Sequence, residues 1–268
     1  MASNKRADQS ESPLQPLETC VRLEAATNLT VQVRKCVVIV LIAGMPRSGS
    51  TFSFNVARQI LAARGSVYQE TCEDVVGVVG RSGGADHVLV KNHNLDEPSL
   101  ALARAGAMRI IMTVRRVEDA MASWFDAFDA VPEAVALGVM HHWIGLFQQL
   151  RTKALIVPYE QIDRRPWVAV WRIARAICPI VYPTEVLAIT RRLSKATVKR
   201  QTDMLPIEAS GVTDIGFSHY DARTFFHRRH VSDLKSRPAE QRLSSERLET
   251  IRAALGAAIA AAGLSAFE

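Results

Sequence analysis

Ala43-Gly44-Met45-Pro46-Arg47-Ser48-Gly49-Ser50-Thr51-Phe52 stands between an apolar run, Val37 to Ile42, and a stretch whose apolar residues recur at helical spacing. A strand that turns into a helix at such a point makes an anion site. The first N–H groups of a helix lack intrahelical partners and lie at the positive end of its dipole, and glycines let an anion approach the backbone. Gly44, four residues, Gly49, then Ser50 and Thr51 is the spacing of a phosphate-binding loop. Ser50, however, occupies the position at which such loops carry lysine, and the cation sits inside the loop at Arg47.

Upstream, residues 1–30 read as a flexible leader, polar to about Glu18 and broken by Pro13 and Pro16. Val37 to Ala43 is β-branched and apolar on both faces, which predicts a central strand of a parallel sheet covered on both sides. Downstream, Phe52, Val56, Ile60 and Leu61 mark a helix that ends at Gly65. Gly77, Gly80, Gly83 and Gly84 read as a loop, before a short strand from His87 to Val90 that ends in Lys91-Asn92-His93. Asp96 is placed to cap a helix through Ala105, with Pro98 in its first turn.

A third strand, Arg109 to Val114, runs into Arg115, and helices are expected over Glu118 to Phe128 and Glu133 to Leu150. Ala154 to Val157 is a further strand with the polar exit Tyr159-Glu160, followed by a helix carrying Trp167, Trp171, Ile173 and Ile177. Trp143, Trp167 and Trp171 lie at helical spacings among aliphatics and are read as core. The alternation implies an α/β fold: a three-layer α/β/α architecture with a mainly parallel central sheet and right-handed crossovers. After Pro179 the chain reads as helices and loops. The last helix, about Ala239 to Ala262, places Leu248, Ile251, Leu255 and Ile259 on one packing stripe.

With 48% hydrophobic and 22% charged residues over 268 positions, the body of the chain can bury a core of its own. The net charge of +6 suits an anionic ligand. Basic residues occur only in short pairs such as Arg115-Arg116, Arg191-Arg192 and Arg228-Arg229, without interleaved aromatics, so no nucleic-acid partner is expected. Cys20, Cys36, Cys72 and Cys178 form no Cys-x-x-Cys pair, which points to reduced thiols in the cytoplasm rather than to zinc or a disulfide framework. No metal site is expected either at His141-His142 or at His227-x-x-His230, since no carboxylate or cysteine completes either set. The apolar run at Val37 is too short to span a bilayer, and no membrane partner is expected.

In open α/β sheets ligands bind beyond the carboxyl ends of the strands, and four motifs fall at such ends. They are the loop at Pro46 to Thr51, Lys91-Asn92-His93, Arg115 with Ser123, and Tyr159-Glu160. The loop Met45 to Phe52 resembles the 5′-phosphosulfate loop of sulfotransferases, which use 3′-phosphoadenosine 5′-phosphosulfate (PAPS) as donor and release 3′,5′-bisphosphoadenosine (PAP). Val114 to Ser123, an arginine followed eight residues later by a serine, resembles that family's 3′-phosphate-binding strand and helix. Lys91-Asn92-His93 is similar to its Lys-x-His, whose histidine is the catalytic base. Phe226-His227-Arg228-Arg229-His230 resembles its late Arg-Lys-Gly segment, with His230 in place of the glycine. Val117 stands in place of a usual proline, and these departures mark a bacterial or divergent member.

The resemblance spans roughly Val37 to Glu160 and implies a single sulfotransferase-like domain over residues 31–268. It also implies roles. Pro46, Arg47, Ser48, Gly49, Ser50, Thr51 and Phe52 would hold the 5′-phosphosulfate. Arg115 and Ser123, with Arg228 as a further clamp, would hold the 3′-phosphate. Lys91 and Arg47 would stabilise charge at the transferring group, and His93 would take the proton of a hydroxyl or amine on a small-molecule or carbohydrate acceptor.

Physical chemistry points the same way. Sulfuryl transfer between two oxygens needs alignment and charge stabilisation but carries less net charge than phosphoryl transfer, so a divalent metal is less necessary. Other readings stand beside this one. A small-molecule kinase using Mg-ATP would want the lysine that position 50 lacks, and a non-catalytic nucleotide-binding protein could keep a degenerate loop. Arg115 could pair with Glu118 or Asp119, His93 could be a surface histidine, and Glu160 could be catalytic or structural.

Overall fold

A computed structural model describes residues 37–128, 131–216, 218–228, 230–231 and 236–267. The expected leader, Cys20, Cys36 and Arg229 lie outside the described residues. The chain runs β1 (Val38–Ile42), α1 (Ser50–Ala62), β2 (Val67–Glu70), α2 (Val75–Arg81), β3 (His87–Lys91), α3 (Glu97–Arg104), β4 (Arg109–Val114), α4 (Val117–Ala127) and α5 (Glu133–Leu150). It continues with β5 (Ala154–Pro158), α6 (Tyr159–Arg164), α7 (Pro166–Ile177), α8 (Pro183–Arg192), α9 (Lys195–Asp203), β6 (Val212–Asp214), β7 (His219–Asp221) and α10 (Ser245–Ala262).

The first five strands form one parallel sheet in the order β2-β3-β1-β4-β5. Its two faces are written into the strands with a period of two. Val40 and Ile42 of β1, Leu89 of β3 and Ile111 of β4 pack with α1, α7 and α8. Leu41, Val88, Val90, Ile110 and Met112 point the other way, into a core shared with α4, α5 and α10. The result is the three-layer α/β/α fold. After β1 the chain crosses to one edge of the sheet, and after β3 it crosses to the other side of β1. The direction of winding therefore reverses between β1 and β4, which opens a crevice at their carboxyl ends.

Besides the antiparallel pair β6–β7, which stands where the sequence reads as helices and loops, four features depart from the sequence reading. The glycine-rich stretch holds α2, because Asp74 caps it by accepting from the Gly77 N–H at 2.6 Å and because Val75 and Val78 are buried. The edge strand β2, Val-Tyr-Gln-Glu, offers no apolar run for periodicity to detect. Of the three tryptophans expected in the core, Trp143 is fully buried and donates its indole N–H to the Ala43 carbonyl at 2.9 Å, whereas Trp167 and Trp171 are exposed. The last helix begins at Ser245, capped by Ser244, after a short 3-10 turn at Ala239–Gln241, and its four stripe residues are buried.

Candidate active site

The crevice beyond β1 and β4 holds a cavity of about 340 Å³. At its floor the loop after β1 keeps the sheet pairing going: Ala43 N–H donates to Ile111 O at 2.9 Å and Met45 N–H to Thr113 O at 2.8 Å. Ser48, fully buried, then stitches the loop to β4 through its hydroxyl, 2.6 Å from Met45 O and 2.6 Å from Thr113 Oγ1. Arg47 and Gly49 both take left-handed backbone, at φ 62° and 93°. That turn presents the first N–H groups of α1 outward, as an anion cradle requires. The hydroxyls of Ser50 and Thr51 line the cavity and make no hydrogen bond among the described residues.

The neighbouring strand ends bring charge to this loop. Arg115, at the end of β4, is buried, with its guanidinium 4.2 Å from the centre of the Tyr159 ring and 3.3 Å from Arg47 O. The carboxylates that could have neutralised it are taken by its neighbour. Arg116 pairs with Glu118 at 3.4 Å, Asp119 at 3.9 Å and Glu240. Arg115 therefore faces the cavity without a carboxylate partner among the described residues. Ser123, in the second turn of α4, accepts from Arg47 Nε at 3.3 Å.

At the end of β3, His93 Nδ1 lies 2.6 Å from the Gly44 carbonyl. A carbonyl only accepts, so Nδ1 carries the proton and the neutral ring keeps its lone pair on Nε2. Burial, then the charge of Lys91, pushes the His93 pKa down to about 3, with the Gly44 bond acting against them. Lys91 falls to about 8 through burial and the charge of Arg47, and Arg47 to about 10 through burial and Arg115. Mutual repulsion among unneutralised cations is what a site built for a multiply charged anion looks like before the anion enters.

Of the residues expected from sequence, Pro46, Arg47, Gly49, Ser50, Thr51, Phe52, Lys91, His93, Arg115 and Ser123 line this one cavity. Ser48 does not: its hydroxyl is bonded within the protein and its N–H to Met45 O at 3.2 Å. Arg228 is exposed, outside the cavity wall, and Glu160 is exposed on α6. His142 pairs with Asn94, and no described group of His, Cys, Asp or Glu is arranged to hold a metal.

The cavity also recruits residues without an assigned role: Trp124 and Phe128 beyond Ser123, Lys195 at the start of α9, and His227 and His230. His227 meets Phe128 edge-on and Tyr220 at a tilt, and burial followed by Lys91 lowers its pKa to about 4. Trp124 and Phe128 are four residues apart at the end of α4, their rings in edge contact at 5.8 Å. Lys195 and His227 arrive from distant sequence, and no local pattern announces them.

Comparison with solved structures follows this geometry. The crystal structure of mouse sulfotransferase SULT7A1 complexed with PAP matches at a TM-score of 0.58 and 13% identity, covering 84% of this chain and 85% of that one. The fold is a sulfotransferase fold. Retinol dehydratase matches as well, in complex with androsterone and inactive cofactor PAP (TM-score 0.51, 11% identity, 84% and 81% covered) and in a complex with retinol and PAP (0.52, 12%, 84% and 82%). No family model matches the chain, and no curated protein matches it by sequence.

Proposed function

We propose that this protein is a sulfotransferase that moves a sulfuryl group from PAPS to a hydroxyl or amine of a small-molecule acceptor, releasing PAP. One observation carries the reading. Three cations, Arg47, Lys91 and Arg115, without a carboxylate partner among the described residues, share a cavity with a neutral histidine of defined tautomer. A bare phosphate loop needs only one of them. The solved sulfotransferase-fold proteins bound to PAP support the same donor.

The residues present fit that donor. The N-terminus of α1 and the free hydroxyls of Ser50 and Thr51 suit the 5′-phosphosulfate, with Phe52 beside them, and Arg115 with Ser123 suits the 3′-phosphate. PAPS, when bound, supplies the activated sulfuryl group. Arg47 and Lys91 hold positive charge where negative charge grows on the transferring and departing oxygens. His93, with Nδ1–H fixed on Gly44 O, takes the acceptor proton on Nε2. Burial is the larger reason that His93 is so weakly basic, and phosphate charge near Lys91 offsets the smaller, coulombic part, which raises its strength as a base.

Trp124, Phe128, Val131, Phe226 and Val231 make the rest of the wall largely apolar, which favours an acceptor with an apolar body over a carbohydrate. The retinol and androsterone complexes of retinol dehydratase support that preference by analogy. Free thiols at Cys72 and Cys178 suit a cytoplasmic setting. Calorimetric titration with PAP should give saturable binding in the micromolar range, and no binding at high micromolar PAP would sink the proposal. Arg115→Ala should weaken PAP about 10- to 100-fold, the worth of one or two hydrogen bonds to a charged group, while leaving adenosine 5′-monophosphate unchanged. Turnover that persists in EDTA would separate this reaction from a magnesium-dependent kinase.

A further inference from the structure

From Arg164 to Arg192 the sequence carries six arginines and one acid, Glu185. Glu185 is already neutralised, since both its oxygens accept from Arg64, at 2.8 and 2.9 Å. This segment builds α7 and α8, which pack side by side. The inner stripe of α7, Ala169, Val170, Ile173, Ala174 and Ile177, is buried against the sheet. The outer stripe should then be polar. Instead it carries Trp167 and Trp171, one turn apart and 56% and 38% exposed.

The apolar surface continues past the end of α7. Ile180 and Tyr182 are each 64% exposed, and Leu187 on the outer side of α8 is 50% exposed. Around it Arg164, Arg165 and Arg191 are exposed, and their side chains make no hydrogen bond or ion pair among the described residues. Exposed aromatics and aliphatics on two helices that pack together and on the turn between them, with free cations on the same segment, mark an interaction surface.

Charge decides what covers it. A second copy of the chain would bring several arginines against arginines, and Glu160, the exposed acid one turn before Arg164, could offset only one of them. A nucleic acid would meet the arginines but leave Ile180 and Leu187 unused. An anionic bilayer surface accepts both parts: tryptophan and tyrosine rings settle at the headgroup level, aliphatic side chains enter the acyl boundary, and arginines meet lipid phosphates and carboxylates. We propose that the outer face of α7 and α8 docks this protein reversibly on anionic membrane surfaces. The expectation of no membrane partner rests on the lack of a spanning run, and surface docking requires none; no described helix is long and apolar enough to cross a bilayer. The proposal is independent of the sulfotransferase reading.

The test is co-sedimentation of the full chain with phosphatidylcholine vesicles, with and without phosphatidylserine. Binding should appear only with phosphatidylserine, weaken as salt is raised, and shift tryptophan emission to the blue. The double variant Trp167→Ala/Trp171→Ala should lose about tenfold or more in partition. Arg164→Gln/Arg165→Gln/Arg191→Gln should abolish the salt-sensitive part. All these positions are exposed, and circular dichroism and thermal midpoints matching the parent confirm that each variant folds. Absence of vesicle binding, equal binding to both vesicle types, or unchanged binding by the tryptophan variant overturns the proposal. So does a concentration-dependent dimer abolished by that variant, or retention on nucleic acid without vesicle binding.

Discussion

One carbonyl sets the tautomer on which the proposed role of His93 as a base depends. Strand β3 ends at Lys91, the bend after it brings His93 to the same cavity, and the Gly44 carbonyl fixes which nitrogen of His93 holds the proton. Burial, and after it the Lys91 ammonium at the end of the same strand, keeps the ring neutral. His93→Ala should lower kcat by about 10²- to 10⁴-fold, the usual worth of a general base, with PAP affinity within about threefold of the parent. Single-turnover kinetics beside PAP titration separates the two effects, and retained turnover would remove His93 as the base. The pair is legible in the sequence because a short apolar strand ends at Lys91-Asn92-His93 and because that motif resembles the Lys-x-His of sulfotransferases. His227 and Lys195 are not, because the tail reaches the cavity through tertiary packing that leaves no period behind.

The strand, loop and helix unit formed by β1 and α1 depends on two glycines for different reasons. Gly49 needs its left-handed φ of 93°, and a Cβ there would also lie 2.7 Å from Ile162 Cδ1. Gly44 needs no special φ, but a Cβ would lie 2.0 Å from Thr113 Oγ1, the atom that anchors Ser48. The turn is therefore pressed between β4 and α6 as well as twisted. Gly49→Ala should cost about 1–3 kcal/mol of stability and weaken PAP. Adding Ile162→Ala should recover PAP affinity in part, by relieving the contact while leaving the φ strain. Denaturant midpoints and PAP titrations of the single and double variants check this, and an unchanged Gly49→Ala protein would refute it. Spacing made the glycines of this loop legible as a phosphate cradle. The same residue type misled at Gly77 and Gly80, where an Asp74 cap and buried Val75 and Val78 outweigh glycine's poor helix propensity.

At the scale of the whole molecule, a cluster of depressed pKa values makes stability depend on pH in a way that reports the ligand. His93 is pushed to about 3, His227 to about 4, and His230 well below its ordinary value, each chiefly by burial. Between about 4.5 and 6.5 the unfolded chain binds protons at these positions and the folded protein does not. Stability must then rise with pH across that window, by at most about 1.4 kcal/mol per pH unit for each histidine. Carboxylates held low by arginine, such as Glu185, give a slope of the same sign but below about 4.5, where an ordinary carboxylate takes its proton. The upper window therefore isolates the histidines. PAP should flatten it: phosphates beside Arg47 and Lys91 offset the charges that depress His93 and His227, raise their folded pKa values, and bring proton uptake in the folded state closer to that in the unfolded state. Denaturant titrations from pH 4.5 to 6.5, with and without saturating PAP, should show a steeper rise without the ligand, and His93→Gln should remove part of the difference. A ligand-independent slope, or stability falling as pH rises through this window, would show that the cavity cations and the histidines do not share one electrostatic site.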